Sequence, residues 1–322
     1  MKGKHNVIIQ NNRLHYEFTI RRNITIIRGD SATGKTTLIN MIRQHNNLGN
    51  SSGVELSCDV PCRVLEGPEW KLLLNHISGS ILFIDEENKF IHTEEFASAA
   101  RESGNYFVLI TRDNLYNLPY SVEEIYGLHS SGKYQNTRKT FQQTYRLYSF
   151  LQDAPAKPEK IITEDSHSGF EFFQAICREK HLECISAEGK SNFRKLLEKP
   201  FTGEICVIAD GAAIGPEMNL LYEMSVQKKN IRLYFPESFE WLILKSGLID
   251  GKDVLSILQH PEESIDSEQY FSWERFFTAL LIEQTKDTYM RYSKQKLNEV
   301  YLHEKNKTAI LQAADGLCFE KD

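Results

Sequence analysis

The chain lacks any long apolar run. No stretch approaches the roughly 20 consecutive apolar residues that span a bilayer. The first residues, MKGKHNVIIQNNRLHYEF, contain no signal-peptide hydrophobic region with a small-residue cleavage site. A cytoplasmic protein with no membrane partner is expected. Cysteine is sparse and scattered: Cys58, Cys62, Cys177, Cys184, Cys206 and Cys318. Only Cys58 and Cys62 lie close in sequence, and no Cys or His cluster completes a zinc set. Reduced structural thiols are the expectation. Proline is rare, at 9 in 322 residues, and there are no repeats or low-complexity tracts.

What is present is a globular composition, 41% hydrophobic and 25% charged, in a chain long enough for two domains. The net charge of −6 is uneven. Residues 1–150 hold 17 Lys+Arg against 15 Asp+Glu, which leaves 21 against 29 for residues 151–322. The second half is therefore a poor non-specific polyanion binder unless metal ions or a local basic strip offset its charge. The charge balance changes at LQDAPAKPEK, 151–160, where two prolines disfavour both helix and central strand. This segment is read as a linker between domains at 1–150 and 161–322.

The first half opens with HNVIIQ and LHYEFTI joined by NNR, a β-hairpin pattern. NITIIRG (23–29), SILFID (80–85) and YFVLIT (106–111) read as buried strands, with a further strand around CRVLE. Helical patterns cover 35–45, 68–77 and 93–103. Alternating strands and helices imply a mostly parallel sheet covered on both faces. The second half repeats the rhythm. Strands are expected at 160–164, 182–187, 204–210 and 231–235, and helices at 169–180, 191–199 and 216–229. The tail from about 268 to 304 reads as helical. Its aromatic stripe (Tyr270, Trp273, Phe276, Phe277, Leu280) reads as core packing rather than a ligand site.

GDSATGKTT, 29–37, fits the phosphate-loop pattern G-x-x-x-x-G-K-[ST], with a strand before it and a helix after it. Gly29 and Gly34 let the loop Gly29, Asp30, Ser31, Ala32, Thr33, Gly34 wrap so that backbone N–H groups face phosphates. Lys35 reaches the β- and γ-phosphates, the Thr36 hydroxyl ligates Mg²⁺, and Thr37 is placed for the α-phosphate. ILFIDEEN, 81–88, supplies the second element. Asp85 would hold Mg²⁺ through water, and Glu86 would orient and deprotonate the attacking water. FVLITRDN, 107–114, ends in polar residues. Thr111 or Arg112 would sense the γ-phosphate there; the competing reading gives Arg112 only a surface ion pair.

The hairpin, the phosphate loop and the acid-ended strand resemble the ABC/AAA-like branch of P-loop ATPases over roughly residues 1–150. The resemblance implies ATP and Mg²⁺ as cofactors and NTP hydrolysis as the activity. About 45 residues separate Lys35 from Ile81, so no long helical insert fits between the motifs. No LSGGQ-like signature is present, and HISGS (76–80) lies too close to the strand to serve as one. An ABC-type dimer closed by such a signature is therefore not expected.

Four βα units, with Glu164 ending the first strand and Asp210 the third, resemble a Toprim domain. That domain follows an ATPase domain in nucleases of the overcoming-lysogenization-defect type. The resemblance implies Mg²⁺ held by Glu164 and Asp210, with Glu164 as general acid or base in phosphodiester cleavage. The chain departs from the family's third-strand D-x-D: ADGAAIGPEM places Ala212 at the second position. Substitutes are Asp165, Glu217, Glu237 and Glu240. Each has a structural alternative, such as Asp165 or Ser166 capping the next helix and Glu217 meeting a helix N-terminus.

The strip GKYQNTRKTFQQTYRLYSF, 132–150, interleaves Lys133, Arg138, Lys139 and Arg146 with Tyr134, Phe141, Tyr145 and Tyr148. It would stack bases and pair phosphates, or form an edge hairpin with a solvated cationic face. The expected architecture is an α/β P-loop NTPase domain followed by a smaller Toprim-like α/β domain with a helical C-terminal tail. The expected function is an ATPase controlling a Toprim-like effector, in nucleic-acid metabolism or phage defence; whether that effector is a metal-dependent nuclease is left open by Ala212. Its partners would be ATP, DNA or RNA, and a second copy or a separate effector protein. The alternative is a regulatory or scaffolding ATPase whose Toprim-like domain is catalytically dead. A kinase ranks lowest, because no acceptor or lid motif is recognisable.

Overall fold

The structure, a computed structural model, describes residues 1–29, 34–130, 139–148, 155–251 and 253–319. It is a mixed α/β protein with two sheets, one large and mostly parallel and one small and parallel throughout. The chain divides into two compact units: Met1–Tyr148 with Pro261–Ser272, and Ser149–His260 with Trp273–Asp322.

In unit 1, β1 (His5–Gln10) and β2 (Leu14–Ile20) pair antiparallel as the expected hairpin. Their buried residues alternate, as in a sheet with one covered face. Then come β3 (Ile24–Arg28), α1 (Lys35–Leu48), β4 (Glu55–Ser57), β5 (Cys62–Val64), α2 (Trp70–Leu74), β6 (Ile81–Asp85), α3 (Glu94–Arg101), β7 (Tyr106–Ile110), β8 (Ile125–Ser130) and β9 (Thr140–Arg146). The sheet order is β4-β1-β2-β9-β8-β3-β7-β6-β5. From β8 to β5 all neighbours are parallel. β3, β6 and β7 are buried at every residue, the property of central parallel strands.

Helix α1 touches β1 and β4 near one end of the sheet and β5 and β6 at the other. The sheet therefore curls around this helix, whose Leu38, Ile39, Met41 and Ile42 enter the core. A second apolar layer gathers Trp70 stacked on Phe90, with ring centroids 4.8 Å apart, and Phe96 edge-on to Phe107. Residues 261–272 complete unit 1. Gly3 N–H donates to the Glu262 carbonyl and Ser267 N–H to the Met1 carbonyl. The Asn23 amide donates to the carbonyls of Ser267 and Tyr270.

The edge-hairpin reading of the strip is corrected. β9 pairs with β2 on one side and β8 on the other, so it lies inside the sheet. A strand satisfied on both sides has no free edge. Lys139 donates to Gln10, Arg146 pairs with Glu123 at 3.1 Å, and Phe141 packs on His15. Lys133, Tyr134 and Arg138 lie outside the described residues.

Unit 2 contains β10 (Lys160–Thr163), α4 (Ser168–Glu179), β11 (Glu183–Ser186), α5 (Phe193–Leu197), β12 (Ile205–Ile208), α6 (Met218–Gln227), β13 (Ile231–Tyr234), α7 (Phe239–Lys245) and α8 (Val254–Gln259). The short α9 (Pro261–Ser264) belongs to unit 1. Unit 2 resumes with α10 (Trp273–Thr285) and ends with α11 (Glu304–Ala313). The order β11-β10-β12-β13 is parallel throughout, which matches four βα units. α4 packs on β10 and β11, α6 on β13, and α7 on α10 and α11.

The tail is not helical throughout. Within 268–304 the α-helix covers Trp273–Thr285, and one 3₁₀ turn covers Glu299–Leu302. Residues 286–298 carry turns tied down by side chains instead. Trp273, Phe276 and Phe277 are buried, as core packing requires.

Candidate functional site

Because β3, β7 and β6 are parallel neighbours, their C-terminal ends share one edge of the sheet. In open α/β sheets that edge is where ligands bind. It receives Gly29 after β3, Asp85 at the end of β6, and Thr111 and Arg112 after β7. Asp30, Ser31, Ala32 and Thr33 lie outside the described residues. Gly29 has φ 145° and Gly34 φ 90°, backbone that favours glycine. The buried Lys35 folds back so that its ammonium donates to the Gly29 carbonyl. Thr36 and Thr37 are exposed in the first turn of α1.

Tyr16, buried on β2, donates its hydroxyl to the Gly34 carbonyl at 2.9 Å. Burial pushes that phenol up to about 12. The hairpin thus braces Gly34 at the start of α1, a role that nothing in the motif announces.

Asp85 is buried, and its Oδ1 accepts from the Glu86 N–H at 2.8 Å. Burial, with help from Glu87 and Glu86, raises its pKa above the usual carboxylate range. Arg112 is exposed, and its Nε lies 3.8 Å from Glu86 Oε2. Thr111 is fully buried, and its hydroxyl accepts from the Asp113 N–H. Of the two candidate sensors, Arg112 is the one turned toward the acidic pair.

In unit 2, β10 and β12 are adjacent and parallel, so Glu164 and Asp210 emerge side by side. Three further acids join them from elsewhere. Glu240 is buried on α7 and accepts from the Tyr292 hydroxyl at 2.8 Å. Glu274, in the first turn of α10, accepts from the Lys294 ammonium. Glu217 is buried near Glu164, and its Oε2 has no hydrogen-bond partner. Lys294 Nζ also lies 3.9 Å from Asp210 Oδ2. Lys190 Nζ lies 3.6 Å from Glu164 Oε1 and donates to the Ala213 carbonyl at 2.7 Å.

The electrostatics follow from this crowding. Burial, then Glu274, Glu240 and Glu164, hold Asp210 well above the ordinary carboxylate range, against the pull of Lys294. Burial likewise raises Glu164, with Lys190 opposing, and pushes Glu217 up to about 7. Burial works against the charge of Lys294, but Asp210, Glu274 and Glu240 outweigh it and raise its pKa. A cavity of about 40 Å³ lies among Glu164, Asp210, Glu240, Tyr292 and Lys294.

The other sequence candidates go elsewhere. Asp165 forms a turn: its Oδ1 accepts from His167 N–H and its carbonyl from the Thr163 hydroxyl. The N-cap of α4 is His167, without a side-chain cap, so neither Asp165 nor Ser166 caps that helix. The Glu237 carbonyl accepts from the Ala212 N–H at 3.2 Å. Ala212 is itself buried. Among the described residues no three Asp, Glu, His or Cys side chains are gathered as a metal-ligand set. With lysines seated on Glu164, Asp210 and Glu274, the unit 2 acids as arranged do not fit a divalent ion. The residues that the motifs did not point to are Lys190, Glu274, Tyr292 and Lys294. None stands at a motif spacing from Glu164 or Asp210.

No protein-family model matches the chain, and a search of curated proteins finds no match. No helix among the described residues is long and apolar enough to cross a membrane.

Proposed function

We propose that the chain is an ATP-binding and ATP-hydrolysing protein, with a P-loop domain in unit 1 controlling a Toprim-like effector domain in unit 2. The field of action would be nucleic-acid metabolism or phage defence. One observation carries the ATPase reading: Gly29, Gly34 and Lys35, the Asp85–Glu86 pair and Arg112 all sit at the C-terminal ends of neighbouring parallel strands. Lys35 and the N-terminus of α1 would hold the phosphates. The Thr36 hydroxyl and Asp85 are hard oxygen donors suited to Mg²⁺, and the buried Asp85 carboxylate gains from a nearby cation. Bound Mg²⁺ would neutralise phosphate charge. Glu86, oriented by Arg112, would take the proton of the attacking water.

The lysines on the unit 2 acids favour the regulatory form of this proposal, in which the Toprim-like domain recruits or signals rather than cuts. The convergence of Glu164 and Asp210 at adjacent strand ends favours the second reading, a metal-dependent nuclease. An ATPase assay with DNA and RNA panels, with and without Mn²⁺, separates the readings. Lys35→Ala should abolish nucleotide binding; ATP turnover that survives it removes hydrolysis from the P-loop, and absence of ATP turnover in the wild type sinks the ATPase reading. Nucleic-acid cleavage that needs Mn²⁺ and is lost in Glu164→Ala would displace the regulatory form.

A further inference from the structure

We propose that Lys294 is the resident cation on Asp210 in the unit 2 acid cluster, an ammonium seated on one of the two carboxylates to which the Toprim resemblance assigns a divalent ion. Its contacts join two separate acids: Glu274 from the start of α10 and Asp210 from the end of β12. A lysine offers a compact point charge with three donors, well suited to bridging carboxylates.

The position of this ammonium is built into the backbone. The Ser168 hydroxyl donates to the carbonyls of Ser293 and Lys294, at 2.6 and 2.9 Å. The Ser168 N–H donates to the Lys294 carbonyl as well. Leu297 N–H donates to Glu171, and Tyr292 N–H to the Thr285 hydroxyl. Residues 292–297 are thus clamped by α4 and α10, and the segment delivers two groups to the acids. Tyr292 donates to Glu240, and Lys294 pairs with Glu274 and Asp210. The remaining cavity, about 40 Å³, has room for a few waters.

Two features of the third strand agree. Ala212 supplies no carboxylate, and its side chain is buried. Gly211, beside Asp210, is pressed so closely on the next strand's end that a Cβ there would meet the Phe235 carbonyl at 2.6 Å. An ammonium balances charge but does not generate the acidic bound water that a metal supplies. The site would hold or recognise a ligand rather than activate water.

The inference rests on the regulatory form of the proposed function, and the test tells the two apart. Mn²⁺ is titrated calorimetrically into the full chain without nucleotide, and into Asp210→Asn. Thermal unfolding compares wild type, Lys294→Met and Lys294→Met/Glu274→Gln. No Mn²⁺ site dependent on Asp210 is expected. Lys294→Met should lower the unit 2 melting temperature by roughly 5–10 °C, and the double variant should regain most of that. A wild-type Mn²⁺ site lost in Asp210→Asn overturns both the inference and the regulatory form. Unchanged melting of Lys294→Met, with no Mn²⁺ bound, overturns the inference alone. If Lys294→Met does not fold, Lys294→Arg and Glu274→Gln take its place. Melting unchanged in both overturns the inference, and a lowered melting temperature in Glu274→Gln sustains it.

Discussion

The Tyr16 hydroxyl holds the Gly34 carbonyl at 2.9 Å, so a residue of the N-terminal hairpin fixes the last glycine of the phosphate-loop motif. A buried neutral hydrogen bond is worth about 1 kcal/mol. Tyr16→Phe should therefore weaken ATP binding by roughly three- to tenfold while the fold persists, as read by calorimetric titration. Gly34→Ala should do more harm. Its φ of 90° is strained for alanine, and the added Cβ would lie 2.8 Å from that same hydroxyl. Wild-type affinity in both variants would remove the hairpin from the site.

Arg112 stands 3.8 Å from Glu86. If it senses the γ-phosphate and orients Glu86, Arg112→Ala should lower kcat by about tenfold or more and leave ATP affinity nearly unchanged. Steady-state turnover measured beside direct nucleotide binding gives this split. An unchanged kcat assigns Arg112 to a surface ion pair.

Glu217 has a folded-state pKa of about 7, above the ordinary glutamate value of 4.5, because it is buried near Glu164 with Lys190 partly offsetting the burial. The folded protein then binds more protons than the unfolded chain between these values. Stability at this site is full below about 4.5 and falls as pH rises toward 7. Glu217→Gln should stabilise unit 2 by about 1–3 kcal/mol at pH 8 and have little effect at pH 4. Urea unfolding at both pH values measures it; equal effects at both would place the carboxyl in water.

Under the proposed Toprim-like reading, Ala212 stands where the family carries its second third-strand carboxylate. It is buried, and around Asp210, two residues before it, the acids already outnumber the lysines. Ala212→Asp should cost about 2 kcal/mol or more at pH 7, and Mg²⁺ should not restore the loss. Recovery of stability with Mg²⁺ in a denaturation series would show that this position can complete a metal site.

The sheet was legible because its central strands announce themselves. Ile24–Arg28, Ile81–Asp85 and Tyr106–Ile110 are largely apolar runs too short for buried helices, the first two ending in Arg28 and Asp85 and the third followed by Thr111 and Arg112. The loop glycines and Lys35 follow from one motif. The remainder depends on distant pairings. The strip at 139–148 reads as an edge from its charge, but β2 and β8 close on it from both sides. Lys294 lies in the stretch that reads as helical, and the bonds from Ser168, Glu171 and Thr285 hold its segment as turns beside Asp210 instead. The tail past Thr285 has helix-forming composition, yet Asn298 and Thr285 bind backbone groups that a helix would need.

The segment 261–272 carries a last consequence, for synthesis. Its bonds to Met1, Gly3 and Asn23 are part of unit 1. A chain emerging from the ribosome must therefore deliver most of unit 2 before the first unit has all its parts. A fragment ending at Tyr148 would keep every residue of the phosphate-loop motif and leave those partners bare. Interrupting translation between the two stretches would strand the proposed nucleotide site on an unfinished scaffold.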